Sequence, residues 1–445
     1  MNAKASGLLK ADGRHHGIIG YTPLLDIKGF DFQRSFIPDY LHSICLGVIK
    51  YLMMIWINGK KTDSWFISKN QMDILEIRMQ QIKPPHEISR SQFNLKKIGQ
   101  WKASQFRAFA LYFYPVLDGI LPQPYYLHFC SLSYTLHLLL QESAKKTAVR
   151  KTLPLCESFV RDVEILYGRK YVTYNIHLLP HLIPTALDWG LLWANATFIP
   201  EGFNGTLNSF VKGTQSVIEQ MAHCYMMQTR LRNEAIDVMS KNTLPKVVLE
   251  MLHDLLCLPV GEHKKFVAIN GVTLERVKLL GRPKVRKLTA TEEVAIKDCF
   301  SRLSLNGWID GQDCEFFPRL MLRHGSVYTT KTYTRSPNRI NYCAFMNDGN
   351  FVFIENIIHF PNLPFHKCFL VTRVLGDISK TLIHLDAELF DLEKVLGQTI
   401  KFVGSAGPLI VYDASELNKK GVLCGYNSLN DSGFATSLVN RFESD

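Results

Sequence analysis

Several features that would quickly place a chain of this length are missing. No two of its 10 cysteines are separated by two residues, which removes the zinc knuckle and the Cys-x-x-Cys redox pair. No apolar segment follows Met1; Asn2 to Gly17 is polar, so a secretory leader is not expected. The longest apolar runs, such as Leu46 to Ile57, carry Lys50 and fall short of the ~20 residues that cross a bilayer. No membrane partner is therefore expected. No repeat of solenoid period is present. Charged residues are sparse, at 20% against 47% hydrophobic, a balance that buries a core and excludes wholesale disorder.

What is present is a long apolar chain with a basic surplus. Its 445 residues suggest about three domains at roughly 150 residues each. Lys and Arg exceed Asp and Glu by 51 to 40, a net charge of +11. Such a surplus favours a polyanionic partner, with nucleic acid ahead of an anionic membrane face. Most cysteines stand in apolar runs, as in Leu127-His-Phe-Cys130, and read as buried, reduced thiols of a cytosolic or nuclear protein.

Residues 1–38 are rich in glycine and read as turns around one or two short strands, such as Tyr21 to Ile27. Pro38-Asp39 then opens a helix with an apolar stripe through Leu41, Ile44, Val48 and Leu52. Helical stripes continue over Gln71–Ile82, Trp101–Tyr114, Tyr126–Leu140 and Leu153–Leu166, the last ending at Gly168. A further helical stretch runs from Glu201 to about Met239, interrupted near Gly213. Beyond Pro245 come apolar alternations (Phe266/Ala268, Val272/Leu274, Val277/Leu279), a basic run, and one short helix, Thr291 to Leu303. Strand signals dominate from Cys314 to Tyr412, with Asn347-Asp-Gly-Asn350 a hairpin turn. The expected fold is mixed α and β, ending in a small antiparallel β domain.

Five groups of residues carry possible chemistry. Asp39 and His42 share a helical face; together they could serve a metal–phosphate site, or be a helix-entry charge and a packed polar residue. His177 and His181 have the spacing of some metal ligands, but Pro180 intervenes and no acidic base accompanies them, so they read as structural. Lys102 and Arg107, beside Trp101, could touch a phosphate backbone, or the aromatic stripe there is core. In Phe198-Ile-Pro-Glu-Gly-Phe-Asn-Gly-Thr-Leu-Asn-Ser-Phe-Val-Lys212, Glu201 stands at a helix entrance as a candidate ligand for a hard cation, and Lys212 as a phosphate contact. Arg282, Lys284, Arg286 and Lys287 cluster without an acidic residue between them; DNA contact, a nuclear-import signal and a solvated loop are the alternatives.

Several of these segments together carry a resemblance. Phe36-Ile-Pro-Asp-Tyr-Leu-His-Ser-Ile-Cys-Leu-Gly-Val48, Trp101 to Arg107, Leu121-Pro with Tyr125 to His128, Leu166-Tyr-Gly168, Asn175 to Leu182, Leu192-Trp193 and Phe198 to Thr214 stand in the order found in transposases of the CACTA (En/Spm) class. Residues 20–240 resemble that family, and Val327 to Ile354 resembles the tail of its animal members. The resemblance implies a ribonuclease-H-like core with an Asp, Asp, Asp/Glu metal triad, interrupted by a large helical insertion. It implies that Asp39-Tyr-Leu-His42 is the family's Asp/Cys-x-x-His motif and Glu201 the last triad acid. The family's two earlier aspartates lie upstream of the part matching residues 20–50. Only Asp12, Asp26 and Asp31 precede Asp39 here, none in that context.

The expected organisation follows from that resemblance. Residues 1–55 would be a remnant of the ribonuclease-H-like core, 56–195 the helical insertion domain, and 196–245 the region of the last acid. Residues 246–305 would be a basic linker with a short helix, and 306–445 the β domain. The expected function is that of a truncated, transposase-derived DNA-binding protein, nuclear or cytoplasmic before import, unable to cleave alone. A homologous transposase subunit or a second copy is the expected further partner. Mg2+ or Mn2+ is expected only where a complete triad assembles, because two-metal chemistry needs several converging carboxylates. The alternatives are an active DDE/D enzyme completed by another segment or chain, and a non-catalytic chromatin interaction module. If the insertion is real, Asp39 and Glu201 must meet in space.

Overall fold

The structure is a computed structural model that describes residues 22–31, 34–240, 245, 248, 271–274, 277–307, 310–363, 367–377, 400–427 and 432–440. Asp12, Cys257 and the Phe266/Ala268 alternation lie outside them. The architecture is mixed α and β: a helical region is followed by a distinct β-rich domain built around a barrel.

The helical region is organised by helix α1 (Leu41–Asn58), whose first half, Leu41–Ile49, is wound as π-helix. It is apolar and long enough to cross a membrane by length and composition, yet 56% of it is buried inside the fold. Leu41, Ile44, Val48, Ile49 and Leu52 are wholly buried. In one hydrophobic cluster with it stand α2 (Lys69–Gln81), α3 (Ala103–Ala108), α4 (Gln123–Leu139), α5 (Lys146–Lys151), α6 (Leu153–Tyr167), α7 (Tyr174–His177) and α8 (Leu182–Trp189). Helices α9 (Phe198–Ser209) and α10 (Val217–Ser240) complete the region.

Local sequence explains the ends of these helices. Ser68 and Gln71 form a reciprocal capping box at α2. Gly168 ends α6 at φ +99°, a conformation that side chains with a Cβ avoid. Gly47 is needed because a Cβ there would lie 2.7 Å from the Asn175 amide. Trp56 fixes the middle of the core: its indole N–H donates to Tyr167 Oη at 3.1 Å and its ring packs edge-on against Phe129.

The first-segment expectation needs correction. Where Tyr21 to Ile27 was expected as a strand, Pro23–Asp26 is a short 3-10 helix, with Pro23 in its first turn and Thr22 accepting from the Leu24 N–H. No strand precedes Val272 among the described residues, so no remnant sheet accompanies Asp39 there. The expected boundary at residues 55 and 56 falls inside α1, and one hydrophobic cluster joins Tyr40 to Leu192.

The β domain begins earlier than its strand-rich sequence indicates. Strands β1 (Val272–Thr273), β2 (Val277–Leu280), β5 (Arg319–Leu322) and β6 (Val327–Thr329) form a four-stranded sheet. Strands β7 (Cys343–Met346), β8 (Phe351–His359), β9 (Cys368–Asp377), β10 (Ile400–Asp413), β11 (Leu417–Asn427) and β12 (Ser432–Ser437) pair antiparallel in the order β8-β7-β11-β12-β10-β9. The β8–β9 pairing closes this set into a barrel, which leaves its strands without open edges. Strands β3 (Lys284–Arg286) and β4 (Cys314–Phe317) extend the sheet from β8, and α11 (Ala290–Arg302) packs its Ile296 and Phe300 with Phe369 and Val411. The stretch expected as a linker therefore contributes β1–β3 and α11 to this domain. The expected hairpin is present as β7–β8, with Gly349 at φ +86° in its turn.

The two regions are clamped together. Lys420 of β11, with 2% of its side chain exposed, reaches Glu87 at 2.8 Å and donates to the Val327 carbonyl at 2.6 Å. Arg339 donates to the carbonyls of Pro85, Ile88 and Ser89. Asn440 donates to Leu140 O at 2.7 Å. Because breaking one side of a buried pair strands the other charge, Glu87→Gln should cost about 3 kcal/mol. Glu87→Gln combined with Lys420→Met should recover much of that loss. Urea unfolding of the two variants checks this; equal destabilisation by both would show the pair to be unimportant.

Candidate functional site

Two helix entrances far apart in sequence meet at one carboxylate. Asp39, just ahead of α1, accepts from the N–H groups of Leu41 at 3.4 Å and His42 at 3.1 Å. That is the helix-entry role foreseen as the simpler reading, since the first N–H groups of a helix have no partner within it. The same carboxylate accepts from the Thr197 hydroxyl at 2.6 Å and the Thr197 N–H at 3.2 Å, 158 positions away. Thr197 immediately precedes α9 and spends its hydroxyl on Asp39 rather than on its own helix. Glu201 stands in the first turn of α9, its N–H bonded to the Thr197 carbonyl.

His42 links the two acids. Its Nδ1 lies 2.5 Å from Asp39 Oδ2 and its Nε2 lies 2.9 Å from Glu201 Oε1. Each ring nitrogen faces a carboxylate oxygen. The imidazole is more than half exposed, as is about half of Glu201, whereas Asp39 is largely covered. Burial pushes the Asp39 carboxyl up, but hydrogen bonds from Thr197 and His42 outweigh it and hold the group below its ordinary value. Asp39, His42 and Glu201 are thus brought together as the resemblance implies, and Thr197 is the member that sequence reading missed. Its only signal was its type, a hydroxyl residue before a helix; its target is set by the fold.

The donor set as arranged does not fit a resident divalent ion. Mg2+ requires near-octahedral oxygen ligands. Here both oxygens of Asp39 already accept hydrogen bonds, and an imidazole stands between the two carboxylates. Among the described residues no group of three or more His, Cys, Asp or Glu side chains could hold a metal ion. Glu201, expected as a metal ligand, is instead the partner of His42. His177 and His181 pack edge to face, exposed, with ring centres 5.2 Å apart.

The basic candidates separate into two kinds. Lys102, Lys212, Arg282, Lys284 and Lys287 are exposed. Arg107 is not available for a phosphate backbone: it is buried, with its guanidinium 4.9 Å from the centre of the Phe198 ring, where it braces the start of α9. Arg286 also departs from expectation. It makes two 2.8 Å bonds to the buried carboxylate of Glu292 and stacks 3.6 Å over Phe316. Its acidic neighbour stands six positions along the chain, on α11, outside the run itself. The described cysteines are free and all but Cys224 are buried, as their apolar surroundings suggested.

Comparison of the chain with protein-family models, curated proteins and solved structures finds no match. The site therefore rests on its geometry.

Two outcomes follow from the Asp39 bonds. Asp39→Ala, which removes the acceptor at both helix entrances, should lower stability by about 1–2 kcal/mol in chemical unfolding. Because the folded carboxyl titrates below its unfolded value, its contribution is present above the unfolded pKa, near 3.8, and is lost as pH falls through the lower folded value. The stability gap between wild type and Asp39→Ala should accordingly be constant above about pH 5 and shrink in stronger acid; a gap that widens on acidification would contradict the assignment.

Proposed function

We propose that this chain is a transposase-derived, nuclear DNA-binding protein of CACTA-like ancestry that does not cleave DNA by itself. One observation carries the reading: the Asp39-x-x-His42 motif and Glu201, named from separate segments by that resemblance, meet at hydrogen-bonding distance. Two arbitrary polar positions so far apart in sequence rarely share a contact. The net charge of +11 supports a polyanionic partner.

In this reading the helical region corresponds to the insertion of a ribonuclease-H-like transposase. The carboxylates of the first strands, and with them Mg2+ or Mn2+, come from another segment or a related subunit. Within this chain, His42 pairs with Glu201 and Thr197 holds Asp39, so the site's own residues position the two helix entrances and carry no cleavage step.

The experiment is a duplex-binding and nicking assay on the purified chain. Expected are salt-sensitive binding to a duplex of about 30 base pairs, with affinity falling steeply as salt rises, and no nicking in Mg2+ or Mn2+. Glu201→Gln should leave binding within about twofold, because it removes no cation. Failure to bind duplex at low salt would overturn the reading. Nicking that disappears in Glu201→Gln would overturn its non-cleaving part.

A further inference from the structure

With Arg107 buried and Arg286 paired with Glu292, the polyanion-facing charge must come chiefly from other cations. One group stands out that sequence reading did not select. Lys145, Lys146, Arg150 and Lys151 fall on and beside α5, and all four side chains are exposed. Only Val149 of this helix is buried, anchoring it by its apolar face. None of the four cations pairs with an acidic side chain among the described residues, in contrast to Arg286, Arg302, Lys367 and Lys420. Exposed like charges this close repel one another, which a nearby polyanion relieves by displacing the counter-ions they would otherwise hold.

The position of α5 connects it to the site. The Gln141 carbonyl, four residues before Lys145, accepts from the Trp193 indole N–H at 2.9 Å. Trp193 stands four residues before Thr197. Each four-residue stretch spans at most about 14 Å, so Lys145 at the start of the basic helix lies within about 40 Å of Thr197, little more than one duplex turn of about 34–36 Å.

We propose that α5 is the main duplex-DNA contact of this protein, its four cations gripping the phosphate backbone beside the Asp39–His42–Glu201 site. This rests on the DNA-binding reading above and goes beyond it by naming the surface. The contact is to phosphates and is sequence-tolerant. The run at Arg282, Lys284 and Lys287 is secondary, because Arg286 at its centre is committed to Glu292.

The test compares two neutralised proteins with wild type on one duplex, by anisotropy at several salt concentrations. One carries Lys145→Gln, Lys146→Gln, Arg150→Gln and Lys151→Gln; the other carries Arg282→Gln, Lys284→Gln and Lys287→Gln. The α5 variant should lose at least about tenfold in affinity and flatten the salt slope by about 0.9 for each lost phosphate contact, up to about 3–4 in all. The second variant should change far less. In a parallel measurement on unaltered protein, bound duplex should shield Lys145, Lys146 and Lys151 from amine acylation, which keeps the test decisive should the α5 variant fold poorly. If wild type binds but the α5 variant binds equally well and those lysines stay reactive, the α5 assignment is wrong and the DNA reading stands. If wild type does not bind duplex at all, both fall.

Discussion

Burial of the apolar stripe of α1 is the constraint from which the helical region follows. Its stripe through Leu41, Ile44, Val48, Ile49 and Leu52 removes apolar surface from water, each large side chain contributing about 1.5–3 kcal/mol. The first N–H groups of such a helix have no partner within it, and leaving one unmade where it is covered costs about 1–3 kcal/mol. Asp39 meets that need and is thereby fixed in place. Thr197 then uses the same carboxylate to fix the start of α9, and Glu201 reaches His42 one turn later. The candidate site is thus a consequence of how two helix entrances are satisfied, with His42 left facing outward between two acids.

The second organising contact is the clamp between helices and barrel. A lysine with almost no exposed surface is costly unless paired, and Lys420 has Glu87, a carbonyl and the face of Tyr328 around it. Arg339 adds three backbone carbonyls from the same loop. These bonds join a region whose internal contacts are helical to a closed barrel whose strands satisfy one another. The barrel presents little open edge for pairing with another sheet.

Charge in this protein divides by burial rather than by sequence clustering. Arg286 and Lys287 are neighbours in one basic run, yet Arg286 is held by Glu292 and Phe316 while Lys287 faces solvent. Arg107 likewise lies one residue from the buried Phe106 and supports Phe198. The cations of α5, unremarked in the sequence, are exposed together because Val149 turns the helix's apolar side inward. A count of basic residues therefore locates a tendency toward polyanions, and packing decides which side chains can act on it.

The sequence by itself determined most helix positions, because apolar residues at helical spacing with caps such as Ser68 and Gly168 leave few alternatives. It also determined the β7–β8 hairpin through Asn347-Asp-Gly-Asn350, and the buried state of most described cysteines through their apolar neighbours. Tyr21 to Ile27 reads as a strand because short apolar runs suit a strand or a tight turn equally; Pro23, with its fixed φ, favours the 3-10 helix Pro23–Asp26. The resemblance of separate motifs picked out Asp39, His42 and Glu201, but spacing could not show that they touch. Only the tertiary structure decided that, together with the role of Thr197, the closure of the barrel by β8 and β9, the burial of Arg107 and the pairing of Arg286 with Glu292. The reason is physical: local pattern governs backbone hydrogen bonds within a few residues, whereas a contact across 158 positions depends on which buried faces pack together.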